Sequence, residues 1–146
     1  MDEPTVTLRG AADSLSYVET VLEANGLPAR DVRSKPDCFY VGDDGGEAVG
    51  VGGVEAYGSY GLLRSVAVEE SARGEGYGTA LCDALEAEAR ESGVETLYLL
   101  TTTAAEFFAD RGYEETNRSD TPEAIRETTE FEELCPASAV CMKKSL

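Results

Sequence analysis

The segment Arg73-Gly74-Glu75-Gly76-Tyr77-Gly78-Thr79 constrains the fold of this chain more than any other stretch. An apolar, β-branched run, Leu62-Leu63-Arg64-Ser65-Val66-Ala67-Val68, leads into it, and apolar residues at helical spacing, Leu81, Ala84, Leu85 and Ala89, follow it. Strand, glycine turn and helix in that order aim several backbone N–H groups at one point before a helix N-terminus. That point suits an anion, most often a phosphate. The glycines let the backbone approach such a ligand, and Arg73 adds a forked, charged donor. A Walker-type loop is excluded, because no lysine lies near the turn. The dinucleotide fingerprint G-x-G-x-x-G is excluded too, since the spacing here is G-x-G-x-G in mid-chain. What remains is the pattern Arg-x-x-Gly-x-Gly, met by Arg73, Gly76 and Gly78, or a tight glycine turn that holds no ligand.

The rest of the chain supplies elements around this loop. Val6 and Leu8 alternate with polar residues, which predicts a strand over 4–10. Asp13 or Ser14 caps a helix whose Leu15, Val18, Val21 and Leu22 share one face, and Gly26 stops it. Strands are expected over 38–42 and 47–56 around a turn at Asp43 to Gly46. A second turn from Tyr57 to Gly61 leads into the 62–68 strand. After the loop comes a helix to about Glu91, a buried strand at 96–101, a short helix from Ala104 to Asp110, and a strand beginning at Tyr113. Thr121-Pro122 starts a further helix running to about Leu134, with proline in its first turn. Ser138 to Met142 forms the last strand. Strands first, then alternating strand and helix, give a mixed α/β (α+β) architecture, and 146 residues suit one domain over 1–146.

Charge and residue usage exclude whole classes of activity. With 29 acidic against 12 basic residues the net charge is −17, a surface that repels nucleic acid and anionic membranes. An acidic, lysine-poor but foldable chain fits a high-salt, halophilic cytoplasm, where screening removes self-repulsion. There is no histidine, so Ser-His-Asp and Cys-His hydrolases are excluded. Cys38, Cys82, Cys135 and Cys141 form no C-x-x-C pair and no metal site is expected; reduced, mostly buried thiols are the reading. No signal peptide, membrane-spanning run or lipidation motif is read, which gives a cytoplasmic expectation.

The pattern of Arg73, Gly76 and Gly78 resembles the pyrophosphate loop of the GCN5-related N-acetyltransferase (GNAT) family, and the order of elements resembles that fold over nearly the whole chain. The resemblance implies a single domain with a mixed central sheet splayed at an acetyl-coenzyme A site. Val66 and Val68, with Ala67 between them, would offer backbone groups to the pantetheine arm, and the backbone of Gly74, Glu75, Gly76, Tyr77, Gly78 and Thr79 would hold the pyrophosphate. The segment Ala105 to Tyr113 resembles the family's short helix beside the thioester. There Phe108 stands where many members place an acidic tyrosine. A narrower resemblance, through Leu99 to Phe108 and Pro136 to Val140, is to the acetyltransferase domain of N-acetylglutamate synthases and to small acetyltransferases of arsenic-resistance operons. It implies that Ser138 reprotonates the leaving thiolate, and that Leu62 occupies the position of the synthases' glutamate base.

The implied activity is direct transfer of acetyl from acetyl-coenzyme A to the amine of a small molecule, an amino acid or an analogue of one. With both expected proton-transfer groups displaced, a non-catalytic acyl-coenzyme A sensor is the alternative. Arg64, between apolar neighbours in a central strand, either pairs with an internal carboxylate or clamps an anionic acceptor. Glu55 and Glu69 are either water-linked proton acceptors or surface carboxylates, and Arg126 either reaches the substrate or pairs with Glu130. Whether strands also pair across a homodimer is left open by the sequence.

Overall fold

The computed structural model describes residues 5–27, 29–128 and 139–146. Its strands are β1 (Thr7–Gly10), β2 (Phe39–Asp44), β3 (Glu47–Tyr57), β4 (Tyr60–Val68), β5 (Thr96–Thr101), β6 (Glu114–Glu115) and β7 (Val140–Ser145). Its helices are α1 (Leu15–Ala24), α2 (Tyr77–Glu91), α3 (Ala105–Asp110) and α4 (Glu123–Arg126). The strands form one seven-stranded sheet in the order β1-β2-β3-β4-β5-β7-β6. The β1–β2, β2–β3, β5–β7 and β6–β7 pairs are antiparallel, whereas β4 and β5 run parallel. This is the mixed α/β sheet expected from the sequence. Two compact units are distinguished within it: Met1–Val54 with Ser65–Glu88, and Glu55–Arg64 with Ala89–Leu146.

In the first unit the apolar face of α1, Val18, Val21 and Leu22, packs with Phe39, Val41, Val51 and Ala67. Ser14 occupies the N-cap of α1 without a side-chain cap bond. Its hydroxyl instead accepts from Arg9 Nη1 at 3.2 Å. The glycines that interrupt β2 and β3 in the sequence are seats for α2. A Cβ at Gly42 would lie 2.9 Å from Leu81 Cδ1, and one at Gly52 would lie 2.4 Å from Leu85 Cδ1. The β2–β3 register slips between Gly42 and Asp43, where Gly42 faces Gly50 but Asp43 faces Ala48, leaving Val49 as an extra residue. The Val49 carbonyl accepts the Glu69 backbone N–H at 2.7 Å, which fixes the chain as it leaves β4.

In the second unit β5 pairs with β7 along its whole length, from Thr96↔Ser145 to Thr101↔Val140. The β4–β5 register covers Tyr60↔Thr96, Gly61↔Leu97 and Leu62↔Tyr98. Leu62, Tyr98, Ile125 and Cys141 form a core cluster, with Tyr57 and Leu100 packed against it.

Several boundaries differ from the sequence reading for local reasons. The two turns are tighter than expected: Gly45 and Gly46, at φ +61° and +91°, close the first hairpin, and Gly58 and Ser59 close the second. Backbone in the left-handed region turns a strand in two residues, so β2 keeps Asp43 and Asp44 and β3 keeps Tyr57. The helix opened by Pro122 ends at Arg126 rather than near Leu134. Thr128 closes it by donating both its backbone N–H, at 3.1 Å, and its hydroxyl, at 2.6 Å, to the Ile125 carbonyl. The part of that expectation beyond Thr128, with Cys135 and Ser138, lies outside the described residues.

Candidate functional site

The glycine loop is built by the end of β4, the 3₁₀ turn Glu70–Ala72 and the first turn of α2. Gly74 and Gly76 sit at φ +84° and +85°, backbone that side chains with a Cβ rarely adopt. These two conformations reverse the chain so that α2 begins at Tyr77, and its first i→i−4 bond runs from the Ala80 N–H to the Gly76 carbonyl at 3.3 Å. The first turn of α2 carries the positive end of the helix dipole. Gly78 lies within that turn. Gly74, Glu75, Gly76 and Thr79 are exposed, and Tyr77 and Gly78 are half-buried.

Side chains around the loop tie it to α1 and β2. Arg73 is exposed, and its Nη2 donates to Asn25 Oδ1 at the end of α1. Tyr17 of α1 donates its hydroxyl to Glu69 Oε1 at 2.6 Å. Burial, followed by that bond and the charge of Glu69, pushes the Tyr17 phenol well above its ordinary value. Glu69 is thus a half-buried acceptor rather than a free surface carboxylate. Tyr77 donates to Asp44 Oδ2, which raises its phenol to about 12. On β4, Ala67 is buried in the core of the first unit while Val66 and Val68 are half-buried, the alternation expected of a strand with one face against the core. Ser65, just before them, has φ +57°, the one left-handed non-glycine among the described residues.

The second unit holds the other candidates. Arg64 Nη1 lies 2.9 Å from Glu55 Oε2, with side-chain exposures of 0% and 1%. Of the two alternatives for Arg64, the internal carboxylate is therefore present, and Glu55 is a core residue. A charge this deep is tolerated because it is paired. Tyr57 donates its hydroxyl to the second oxygen, Glu55 Oε1. The sequence reading placed Tyr57 in a turn and missed this contact. The signal was present: residues i and i+2 of a strand share a face, and a two-residue hairpin brings Arg64 back beside them. Phe108 is buried edge-on between Phe107 and Tyr113, at centroid distances of 5.1 and 5.4 Å. Thr101 Oγ1 accepts the Ala104 N–H at 3.0 Å just before α3 begins. Arg126 is exposed at the end of α4, and Glu130, its expected partner, lies outside the described residues.

Taken together, a mixed sheet with a parallel β4–β5 pair and a glycine turn opening α2 define a mixed α/β domain. Residues 35–115 match the family model of the acetyltransferase (GNAT) domain. An N-acetyltransferase of Chlorobaculum tepidum is 31% identical over 110 residues, 74% of this chain and 70% of that protein. The chain belongs to the GNAT family of N-acetyltransferases. Among solved structures, N-acetylglutamate synthase from Neisseria gonorrhoeae, complexed with coenzyme A and N-acetyl-glutamate, superposes with a TM-score of 0.78 at 21% identity. That match covers 99% of this chain but 36% of the synthase chain, so this chain spans about a third of it. A Mycobacterium tuberculosis protein in complex with CoA and NLQ gives 0.78 at 21% identity over 96% of this chain and 99% of that one. At these identities the two structures show the shared fold. No helix among the described residues is long and apolar enough to cross a membrane.

Proposed function

We propose that this protein transfers acetyl from acetyl-coenzyme A to the amine of a small molecule, an amino acid or amino-acid analogue, in a ternary complex. The observation that carries the reading is the loop at the N-terminus of α2, with Gly74 and Gly76 in left-handed backbone and Arg73 beside them. The coenzyme's pyrophosphate takes the first-turn N–H groups, and Arg73 exchanges Asn25 for a phosphate oxygen. The pantetheine arm runs along Val66 to Val68, hydrogen-bonding to backbone much as an added strand does. An unprotonated amine attacks the thioester carbonyl, and a backbone N–H of β4 stabilises the oxyanion. No covalent enzyme intermediate is needed, because holding both reactants in place supplies the orientation.

Thiol release from acetyl-coenzyme A, followed with a panel of amino acids, their analogues, polyamines and simple amines, tests the reading. Steady, amine-dependent release with an amino acid supports it. Coenzyme A binding without release for any amine would return the sensor alternative, and a preference for polyamines would overturn the acceptor class.

A further inference from the structure

Arg73 opens the glycine loop among carboxylates that compete for its guanidinium. Glu70 lies three residues before it and Glu75 two residues after, and both are exposed. Elsewhere Arg9, Arg33 and Arg64 each hold a carboxylate: Asp43 at 2.8 Å, Glu19 at 2.9 Å and Glu55 at 2.9 Å. Arg73 is held otherwise, for its Nη2 donates to Oδ1 of Asn25, the oxygen of a neutral amide. Asn25 is built to present that oxygen. It is the half-buried C-cap of α1, and its backbone N–H bonds the Val21 and Leu22 carbonyls at 3.2 and 3.1 Å. Its Nδ2 donates to the Val21 carbonyl at 2.8 Å. With the amide nitrogen tied to the helix, the oxygen is the end left to face Arg73. Asn25, Arg73 and the loop all belong to the first unit.

We propose that Asn25 is a positioning residue for coenzyme binding: it rests Arg73 on a neutral acceptor, off the flanking carboxylates, so that the guanidinium passes to the incoming pyrophosphate; the proposal rests on the acetyltransferase reading above. The reason is a ranking of acceptors. A carboxylate brings a full charge and takes a guanidinium through two parallel bonds, a pairing that a phosphate must break before it can bind. An amide oxygen offers one bond and no charge, so a phosphate displaces it. Asn25 therefore fixes the side chain beside the loop without neutralising it. In a chain with 29 acidic residues, an arginine left untied there would meet a carboxylate first.

The test measures coenzyme A affinity by calorimetry for the full-length wild type, Arg73→Gln, Asn25→Ala, Asn25→Asp and the Asn25→Ala/Arg73→Gln double variant. Removing the charged donor in Arg73→Gln should weaken binding by about tenfold or more. Asn25→Ala should weaken it by about threefold or more, but by less than about 1.5-fold once Arg73 is already Gln, because the amide acts only through the guanidinium. In turnover the Asn25→Ala loss should fall on KM for acetyl-coenzyme A and not on kcat. Asn25→Asp keeps the size of the side chain but gives Arg73 a charge to hold. It should lose more affinity than Asn25→Ala at about 0.1 M salt, and the excess should shrink at about 1 M as the new ion pair is screened. Asn25→Ala protein that binds as tightly as wild type, or tighter, overturns the proposal, as does unchanged affinity in Arg73→Gln. An equal Asn25→Ala loss in both Arg73 backgrounds also overturns it, since that marks a cap with a structural role alone. Should Asn25→Ala fail to fold, Asn25→Asp decides, and wild-type affinity at low salt would refute the role. Wild-type protein that binds no coenzyme A removes the acetyltransferase reading itself, an outcome seen before any substitution is made.

Discussion

Replacing the glycines under α2 one at a time should produce a graded loss of stability set by what each new Cβ meets. At Gly52 the Cβ would stand 2.4 Å from Leu85 Cδ1 and 3.2 Å from its Cδ2, and Leu85 is fully buried. Carbon atoms prefer about 3.5–4.0 Å, so the leucine must retreat by roughly 1 Å. Overpacking of this kind costs about 1–3 kcal/mol. Loss of glycine's freedom in the unfolded chain returns about 0.4–1 kcal/mol. The net for Gly52→Ala is about 0–2.6 kcal/mol and centres at about 1.3 kcal/mol, a fall in Tm of about 3–6 °C for a chain of this size. Gly50→Ala should cost more, because its Cβ would lie 2.6 Å from the Ala67 carbonyl oxygen, and backbone cannot turn aside as a side chain can. Gly10→Ala is the control: nothing lies within 4 Å and its φ is not left-handed, so Tm should rise by about 1–3 °C. Differential scanning calorimetry of the three variants reads the series directly. A Gly50→Ala or Gly52→Ala protein as stable as Gly10→Ala would show that these glycines do not seat the helix.

Other outcomes follow from the site. Arg64→Met leaves Glu55 buried without its cation and should cost about 3–5 kcal/mol in urea unfolding, whereas Arg64→Met with Glu55→Gln should recover much of the loss; equal losses would show that the pair is not coupled. Gly76→Ala forces a Cβ into φ +85° backbone and should weaken coenzyme A binding by calorimetry, with unchanged affinity counting against the loop. Burial raises the Cys141 thiol from 9.0 to about 11, so the folded state holds that proton more tightly than the unfolded one. Its contribution to stability is therefore intact below pH 9 and lost as pH rises toward about 11. Peptide mapping after mild alkaline alkylation should find Cys141 unmodified in the folded protein, and labelling as fast as that of half-buried Cys38 would contradict this.

The strand, loop and helix at residues 62–91 were legible in the sequence because their signals are local: β-branched residues, glycines at fixed spacing, then apolar residues at helical intervals. The limits of β5 were legible too, since a short apolar run between Gly93 and a polar triplet leaves little choice. Turn lengths were misread because whether Asp43 and Asp44 extend β2 is decided by register with β3, not by their own preferences. The end of α4 was missed because Thr128 competes with the helix for the Ile125 carbonyl, a choice that composition does not expose. In the site, Arg64 stood out as a charge in an apolar strand, but its partner depended on a hairpin bringing β3 back beside β4. Glu55 and Tyr57 each look like ordinary surface or turn residues until that pairing is in place.

On the function proposed above, the N-terminus of α2 and the loop before it hold the coenzyme's pyrophosphate. Amide resonances of isotopically labelled protein, followed while coenzyme A is added, test it most directly. The largest shifts are expected at the N–H groups of Gly74 to Gly78, with that of Arg73 moving alongside as its side chain leaves Asn25. Saturable binding that leaves these resonances in place and moves those of another segment would contradict it.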